Sequence, residues 1–591
     1  MRFKLYHQAS YLPQVPLDKR NPLVFVRLFL AIILVVMIAL LGSCSKKTML
    51  EPSRPLLDLS KAAIKKFSLP GSIQVGETVF GIDEDGYNLT INIKSGADLT
   101  SMRPYIELLA GSYISPSIGQ IVNLNGDLVY KVTTPDGEVQ NWRVHIVRQE
   151  PAYLTKIFKE NDKVIFVGNS ITHGGRYHSY IWLYYMTRFP NRRITIMNGG
   201  IGGDKISNIN NRLEEDVYSK NPSRINLTFG MNDSGYFDYL FKDPVVVSNK
   251  LVFSADSAFK LVTASLNAHP QIKVTMMAGS PYDATTTVTS GGWSEKPATF
   301  DRIVNIQRDA AVAHHWAYID IYHNMDNLNK FYQKADPKFT LSGSGDRIHP
   351  ESYGHLVMAY LYLRQQDLKG LEVADFTVDA TMKRVTAASH CEVRDVIGNG
   401  DNLTFHYRAD ALPFPVDDVK HAGDGKPASA ALDYIPFTDD LNREMLRVTN
   451  LKGNHYDVKI DGKVIGRFSS ADLATGVNMA LIRTTPQYLQ ALEIMKKNES
   501  RFSEEKRLRD YYVVVFNYAR PAGITNDNDP ASVAKIQELA KTNGWIDANL
   551  YKQGSNPATR QQWQANADKY VNEIYASNKP LTRTIELIKA D

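Results

Sequence analysis

The middle of the chain predicts an α/β fold, a mostly parallel sheet covered by helices on both faces, on three observations. Val164–Val167 is a continuous apolar run, and four largely apolar runs repeat the theme: Ile194–Met197, Ile225–Phe229, Val274–Met277 and Tyr318–Ile321. Helix-compatible stretches separate them at about 177–189, 204–219, 248–268 and 298–314, with a last one at about 351–366. The segments on either side follow a different rhythm, of short strands with period two. Continuous apolar runs mark strands buried on both faces, and such strands alternating with helices build parallel sheets. In these sheets ligands bind beyond the carboxyl ends of the strands, so the loops that follow the five runs are where chemistry is expected.

The elements follow in chain order. At 591 residues the chain is too long for one hydrophobic core. Its composition, 43% hydrophobic and 22% charged, is that of ordinary globular protein. The formal net charge of +5 is mild and partly concentrated near the N-terminus, at Arg2, Lys4, Lys19, Arg20 and Arg27, which gives no case for a nucleic-acid partner. Leu28–Leu41 is uninterrupted apolar sequence, preceded by these basic residues. It is shorter than the roughly 20 residues of a membrane-spanning helix and suits the hydrophobic region of a signal peptide.

Residues 45–60 read as a tether, with Pro52 and Pro55 discouraging regular structure. From 61 to 150 short alternating strands predict a β-sandwich. Tyr87–Ile93 alternates with period two, as does Leu128–Val132, which turns at Pro135-Asp136-Gly137 and returns as Trp142–Ile146. The α/β segment occupies 155–371. Strand signals return over 372–482, at Leu403–Tyr407 and at Tyr456–Ile460, which closes on Asp461-Gly462 and resumes at Lys463–Ile465. Helical patterns at about 487–508, 530–543 and 558–578 fill the region 483–591.

Four clusters fall on one edge of the predicted sheet. The first strand ends in Gly168-Asn169-Ser170-Ile171-Thr172, the second in Asn198-Gly199-Gly200-Ile201-Gly202-Gly203-Asp204, and the third in Gly230-Met231-Asn232-Asp233. After the fifth strand and a long loop comes Asp346-Arg347-Ile348-His349-Pro350. A serine hydroxyl is a weak nucleophile until a base takes its proton, and that base must itself be oriented. Asp346 and His349 lie three apart, close enough for the carboxylate to accept from Nδ1–H and leave Nε2 toward Ser170. The oxyanion of an acyl-transfer intermediate needs donors, and three converge: the N–H of Ser170, the N–H of Gly203 and the side-chain amide of Asn232. Asp346 and His349 also permit a metal reading, but this would need further ligands, and His314 and His315 sit at a helix end. No metal and no cofactor are expected.

The four clusters, in this order and spacing, resemble blocks I, II, III and V of the SGNH/GDSL hydrolases over about residues 160–370. The resemblance implies a three-layer α/β/α domain and a serine esterase working through an acyl-serine intermediate. Ser170 is then nucleophile and oxyanion donor, Gly203 and Asn232 complete the oxyanion hole, and Asp346 and His349 finish the triad. One departure is Asn169, where the family name carries aspartate; a hydrogen-bonding role survives while a negative charge beside the serine is lost. Leu41-Gly42-Ser43-Cys44 resembles a bacterial lipoprotein cleavage box, which implies lipidation of Cys44, removal of the signal peptide and a membrane anchor in the bacterial envelope. The 61–150 segment resembles the Ig-like modules behind the lipid anchor of Bacteroidetes-type surface proteins, and is read as a spacer. Leu412-Pro413-Phe414-Pro415 and Leu473–Leu481 resemble the C-terminal extension of bacterial SGNH proteins.

For the substrate, Gly279–Pro297 is a long polar loop carrying Tyr282, Asp283 and Trp293. Trp293 is a candidate for stacking on a sugar face; Asn169, Asp233, His173 and Arg176 are candidates for lining the cleft. No apolar stripe suggests a lipid-binding lid. These surroundings favour a carbohydrate O-acetyl esterase over a lipase or thioesterase of the same fold, or a non-catalytic glycan-binding lipoprotein. With Cys44 lipidated, Cys391 is left as a structural cysteine.

Overall fold

The computed structural model describes residues 61–590, apart from 70–72, 75–76, 84–85, 95–98, 127, 150–156, 290–291, 344 and 399–400. The signal-peptide and tether segments, Cys44 included, lie outside the described residues. Among the described residues no helix is long and apolar enough to cross a membrane.

The N-terminal unit is built of strands. β1 (Ile64–Ser68) pairs antiparallel with β4 (Tyr105–Leu108). β2 (Val79–Asp83), β3 (Gly86–Lys94), β5 (Tyr113–Ser115), β6 (Leu128–Thr133) and β7 (Val139–Gln149) form a five-stranded sheet in the order β2-β3-β7-β6-β5. In β6 Tyr130 and Val132 are buried while Val129 and Lys131 are exposed, the alternation expected of a strand with one face inward. Trp142 of β7 stacks on Tyr87 at 4.7 Å, and Phe67 of β1 meets Tyr130 edge-on at 5.6 Å, so both sheets contribute to one interior.

The second unit contains the predicted parallel sheet. Its strands are β8 (Lys163–Gly168), β9 (Thr195–Gly200), β10 (Arg224–Leu227), β11 (Lys273–Ala278) and β12 (Ala317–Asp320), in the order β12-β11-β10-β8-β9. All neighbours are parallel. The chain leaves β8 toward β9 on one side and then returns to β10 on the other, so the connections diverge between β8 and β10. That divergence leaves a crevice at the carboxyl ends of these two strands, where such sheets bind their ligands. The register places Gly168 beside Gly200 and Val167 beside Leu227, so the loops after all three strands start at one level.

The covering helices are α1 (Ser170–Gly174), α2 (Tyr177–Arg188), α3 (Ile206–Arg212), α4 (Pro244–Asn267), α5 (Lys296–Ala313), α6 (Tyr322–Gln333) and α7 (Ser352–Gln365). α2 is buried along its whole length and α7 from Ser352 to Leu363, which follows from their lying between the sheet and the C-terminal segments. α6 falls where the sequence reading placed a loop, because its polar composition (Tyr322–Gln333 buries only Tyr322, Met325 and Asn329) leaves a narrow apolar stripe. The stretch read as one helix at 204–219 is α3 continued by a π-helical turn, Leu213–Val217, and a 3₁₀ turn, Tyr218–Lys220.

Beyond the sheet the chain forms two further sheets, β14 (Arg384–Ser389), β13 (Ala374–Asp379), β17 (Glu444–Thr449), β20 (Val477–Asn478), and β15 (Cys391–Gly398), β16 (Leu403–Ala409), β21 (Arg583–Lys589), β18 (His455–Ile460), β19 (Lys463–Ser469), each given in spatial order. They face each other across Phe376, Phe405, Tyr407, Val458, Ile585 and Leu587. β21, the last strand of the chain, lies in the middle of its sheet between β16 and β18. The boundary drawn at 482 therefore does not separate strands from helices in space: α10 (Pro486–Val514), α11 (Pro530–Thr542), α12 (Ala548–Ser555) and α13 (Pro557–Ser577) form an excursion out of this sandwich. Two short helices, α8 (Phe437–Leu441) and α9 (Ser470–Thr475), precede them. Ala491, Ile494 and Met495 of α10 and Val571 and Ile574 of α13 pack into the same core as the parallel sheet. Cys391 in β15 is half-buried, and burial pushes its thiol up to about 11, so it is a neutral packing residue at ordinary pH.

Glu444 of β17 is fully buried; its Oε1 accepts from Tyr407 Oη at 2.7 Å and Gln487 Nε2 at 3.0 Å. Burial pushes its carboxyl up to about 7 from an ordinary 4.5, against the pull of those donors. A raised folded value means that the contribution to stability is fully present below the unfolded pKa and is lost as pH rises through the folded one. Melting temperatures of wild type and Glu444→Gln should accordingly move in the variant's favour as pH is raised from 4.5 to about 7. A difference independent of pH over that window would show that Glu444 does not titrate there.

Candidate active site

β8 ends at Gly168 and the chain turns at once into α1. Asn169 caps that helix: its Oδ1 accepts from the Ile171 N–H at 3.0 Å, and the side chain is buried. Asn169 thus faces inward and is not a cleft residue; the cap is the role an aspartate of the same shape would also fill. Ser170 occupies the first helical position, where backbone N–H groups have no acceptor within the helix. Gly200, beside Gly168 in β9, lets this turn approach, since a Cβ there would lie 2.2 Å from the His173 nitrogen.

Ser170 Oγ lies 2.7 Å from His349 Nε2, across 179 residues of sequence. His349 Nδ1 lies 2.5 Å from Asp346 Oδ2, and Asp346 Oδ1 accepts the N–H groups of Ile348 and His349, each at 2.9 Å. Burial works against ionisation of Asp346, but the hydrogen bonds from His349 and Ile348 outweigh it and hold the carboxyl below its ordinary value. The carboxylate therefore stays charged where the imidazole must be oriented. Arg347, between them, adopts φ +65° and sends its guanidinium into the long polar loop, where it donates to the carbonyls of Asp283 at 3.3 Å, Ala284 at 3.2 Å and Thr289 at 2.5 Å. One residue ties the loop to the base.

Gly203 has φ +85°, a conformation in which a side chain would be strained, and the space a Cβ would fill is open. Asn232 is oriented from two sides: its Nδ2 donates to the Asp204 carbonyl at 2.9 Å, and its Oδ1 accepts from Tyr236 Oη at 3.3 Å. The second amide proton is left for the site. Asp233 is buried, and its carboxylate joins the two loops by accepting from Ile206 N–H at 2.8 Å and Gly230 N–H at 2.9 Å. It holds the cleft from beneath and does not line it.

Lys296, unremarked in the sequence, is fully buried under the Asn232 turn. Its ammonium donates to Met231 O, to Ser234 Oγ at 2.8 Å and to Gly235 O at 2.8 Å, and sits 3.7 Å from the centre of the Tyr236 ring. Burial drives it down to about 7. A lysine opening a helix gives no sequence signal for such a role.

His173 and Arg176 are likewise turned away from the cleft. His173 Nε2 lies 2.8 Å from Asp510 Oδ1, and Arg176 pairs with Glu499 while its guanidinium lies 5.3 Å from the Phe502 ring. Both dock α10 onto the first turn of the site. Trp293 is half-buried, donates its backbone N–H to Tyr282 Oη at 3.0 Å and meets Phe237 edge-on at 5.2 Å. Phe237 is 75% exposed, and Leu240, Phe241, Val245 and Val246 after it are exposed too. An apolar rim therefore flanks the Asn232 loop, which the sequence reading missed because these residues are interleaved with Asp238, Lys242 and Asp243. Among the described residues no cluster of His, Cys, Asp and Glu could hold a metal.

A hydroxyl against an imidazole and an imidazole against a carboxylate, with the Gly203 loop and the Asn232 turn following strands of the same sheet, make up the apparatus for acyl transfer. The family model for GDSL-like lipases and acylhydrolases matches residues 166–357, the stretch that carries these groups. A model of the diltiazem deacetylase C-terminal helical domain matches 492–579, and one described as SGBP, N-terminal, matches 64–146. The solved structure of a gut microbial diltiazem-metabolizing enzyme is 38% identical over 74% of this chain and 99% of its own, with a TM-score of 0.72. The acetylxylan esterase of Geobacillus stearothermophilus is 22% identical over 220 residues, covering 34% of this chain and 93% of the relative. The chain thus belongs to the GDSL-like lipase/acylhydrolase family, the SGNH hydrolases, and is a carboxylic ester hydrolase.

Proposed function

We propose that the protein removes O-acetyl groups from carbohydrate, with Ser170 as nucleophile. The observation that carries this reading is the 2.7 Å contact of Ser170 Oγ with an imidazole already held by a carboxylate. Ser170 Oγ attacks the ester carbonyl carbon as its proton passes to His349 Nε2. The oxyanion is met by the N–H groups of Ser170 and Gly203 and by Asn232 Nδ2. The carbonyl–alkoxide bond then breaks, His349 returns the proton to the leaving sugar oxygen, and an acetyl-serine remains. Water, deprotonated by the same imidazole, repeats the sequence and releases acetate.

Acetylated xylan is the substrate named for one relative, which supports a carbohydrate carrier. Trp293 and Phe237 supply the aromatic surface for a sugar ring. Lipidation at Cys44 and a location in the bacterial envelope rest on the Leu41–Cys44 tetrad, and an Ig-like spacer on the strand pattern of 61–150 and the match over 64–146. A second reading is favoured by the exposed Phe237 and Phe241: the acetyl group is carried by an aromatic or apolar small molecule. The deacetylase likeness points the same way.

Acetate release from acetylated polysaccharides and from aryl acetates, by the chain lacking residues 1–44, separates the two. Turnover should fall steeply from acetyl to octanoyl esters; a preference for the longer acyl group would sink both in favour of a lipase. Trp293→Ala should raise KM for an acetylated oligosaccharide by roughly 2- to 10-fold, the worth of one aromatic contact, with little change in kcat. An unchanged KM would remove Trp293 from the carrier site.

A further inference from the structure

In a trans peptide the C=O of one residue and the N–H of the next lie in one plane and point in opposite directions. Whatever holds the carbonyl on one side therefore aims the N–H on the other. The end of β9 shows this twice. Gly199 O accepts from Arg212 Nη2 at 2.9 Å while the Gly200 N–H donates to Asn198 Oδ1 at 2.9 Å. Gly200 O accepts from Arg509 Nε and Nη2 at 3.2 and 3.1 Å while the Ile201 N–H donates to Gly168 O at 3.0 Å.

The Gly202–Gly203 peptide follows the same rule with a different outcome. Gly202 O accepts from Asn517 Nδ2 at 2.8 Å, and no described residue accepts from the Gly203 N–H. That N–H is aimed away from Asn517. A peptide between two glycines has the least conformational restraint of its own, so its plane is set by what holds the carbonyl. Asn517 lies on a π-helical turn, Val515–Ala519, which continues α10. Such turns are rare and frequent at functional sites. The same helix grips the loop and the first turn of the site at three more points: Glu505 Oε1 accepts from Asn198 N–H at 2.8 Å, Arg509 holds Gly200 O, and Asp510 holds His173.

We infer that Asn517 is a positioning residue of ester hydrolysis: by fixing the Gly202 carbonyl it sets the peptide plane that directs the Gly203 N–H at the oxyanion. The C-terminal helical segment thereby completes an active site whose chemical groups all lie some 170 to 350 residues earlier. This rests on Gly203 serving as an oxyanion donor in the reaction proposed above.

The test uses the full chain with Asn517→Ala, which removes the donor, and Asn517→Asp, which keeps the size and sets an acceptor against the Gly202 carbonyl. Asn517 is half-buried and both changes are small, and thermal melting of each variant checks the fold. With a short acetyl ester, kcat should fall about 10- to 100-fold while KM stays within about twofold, since the lost contact acts on the transition state alone. Binding of phenylboronic acid, whose tetrahedral adduct on the serine places an oxygen in the same hole, should weaken in parallel. Unchanged kcat in both variants, or a kcat loss with unchanged boronate affinity, overturns the inference. Ser170→Ala is measured alongside. If it stays active, the esterase assignment and this inference fall together; if it is inert while Asn517→Ala matches wild type, only this inference falls.

Discussion

Ser170→Ala should lower turnover of an acetyl ester by roughly 10⁴- to 10⁶-fold, the range seen when a triad nucleophile is removed. Among the described residues the hydroxyl has one hydrogen-bond partner, His349 Nε2 at 2.7 Å. Its removal opens no cavity in the core and leaves no buried group unpaired, so stability should stay within about 0.5 kcal/mol of wild type. Asn169, which caps α1 through its own side chain, keeps the turn in place without the serine hydroxyl. KM for the residual reaction should remain close to wild type, because binding surfaces are untouched. Steady-state kinetics with a calorimetric melt checks both halves. A loss under about tenfold would remove Ser170 from the chemistry, and a large fall in melting temperature would make it a structural residue.

Asp216→Asn should cost about 3–5 kcal/mol of stability, the usual consequence of leaving buried charges without their counter-ion. Asp216 is wholly buried on the π-helical turn after α3. Its carboxylate accepts from Arg212 at 2.5 Å, from Lys220 at 2.5 Å and from Arg509 at 2.7 and 2.9 Å. Burial works against its charge, but Arg509, Lys220 and Arg212 outweigh it and hold the carboxyl well below the ordinary range. A depressed folded value means that this contribution is present above the unfolded pKa and is lost only as pH falls through the folded one, so it persists at neutral and mildly acidic pH. The same arginines hold the catalytic loops: Arg212 donates to Gly168 O, Gly199 O and Asp204 Oδ2, and Arg509 to Gly200 O. Activity should therefore fall below that of wild type even where the variant is still folded. Urea denaturation with kcat measured below the transition decides the matter; a loss under about 1 kcal/mol would show that the three cations are satisfied without Asp216.

The chemistry and the scaffold were legible in the sequence to different depths. Buried strands and covering helices leave local traces, since a strand buried on both faces is apolar at most of its positions. Their five runs fall on β8 to β12 within a few residues, except that the polar α6 passed for a loop. Ser170, Gly203, Asn232, Asp346 and His349 follow those strands, and the fold brings them to one edge. The cleft residues were less legible. Asp233 and Asn169 are hydrogen-bonding groups beside reactive ones, and sequence does not tell a residue that lines a cleft from one that supports it from below.

Ser170 and the loops around it owe to the sequence their order, their strand-end positions and the residue types that acyl transfer requires. The tertiary structure decided which imidazole meets the serine hydroxyl. Asp320 and His323 repeat the spacing of Asp346 and His349, but both ring nitrogens of His323 lie against carboxylates, at 2.7 Å from Asp320 and 2.9 Å from Asp301. Those carboxylates, Asp301 foremost, push it up to about 10, so it stays charged and has no free nitrogen to accept a proton. It also decided that His173 and Arg176 bind α10, that β21 closes a sheet begun some 180 residues before it, and that Asn517 reaches Gly202 across 315 residues. The physical reason is common to all of these. Burial periodicity is a property of one segment and is written there, whereas a hydrogen bond between distant segments asks only for a donor and an acceptor, which polar side chains supply everywhere along a chain.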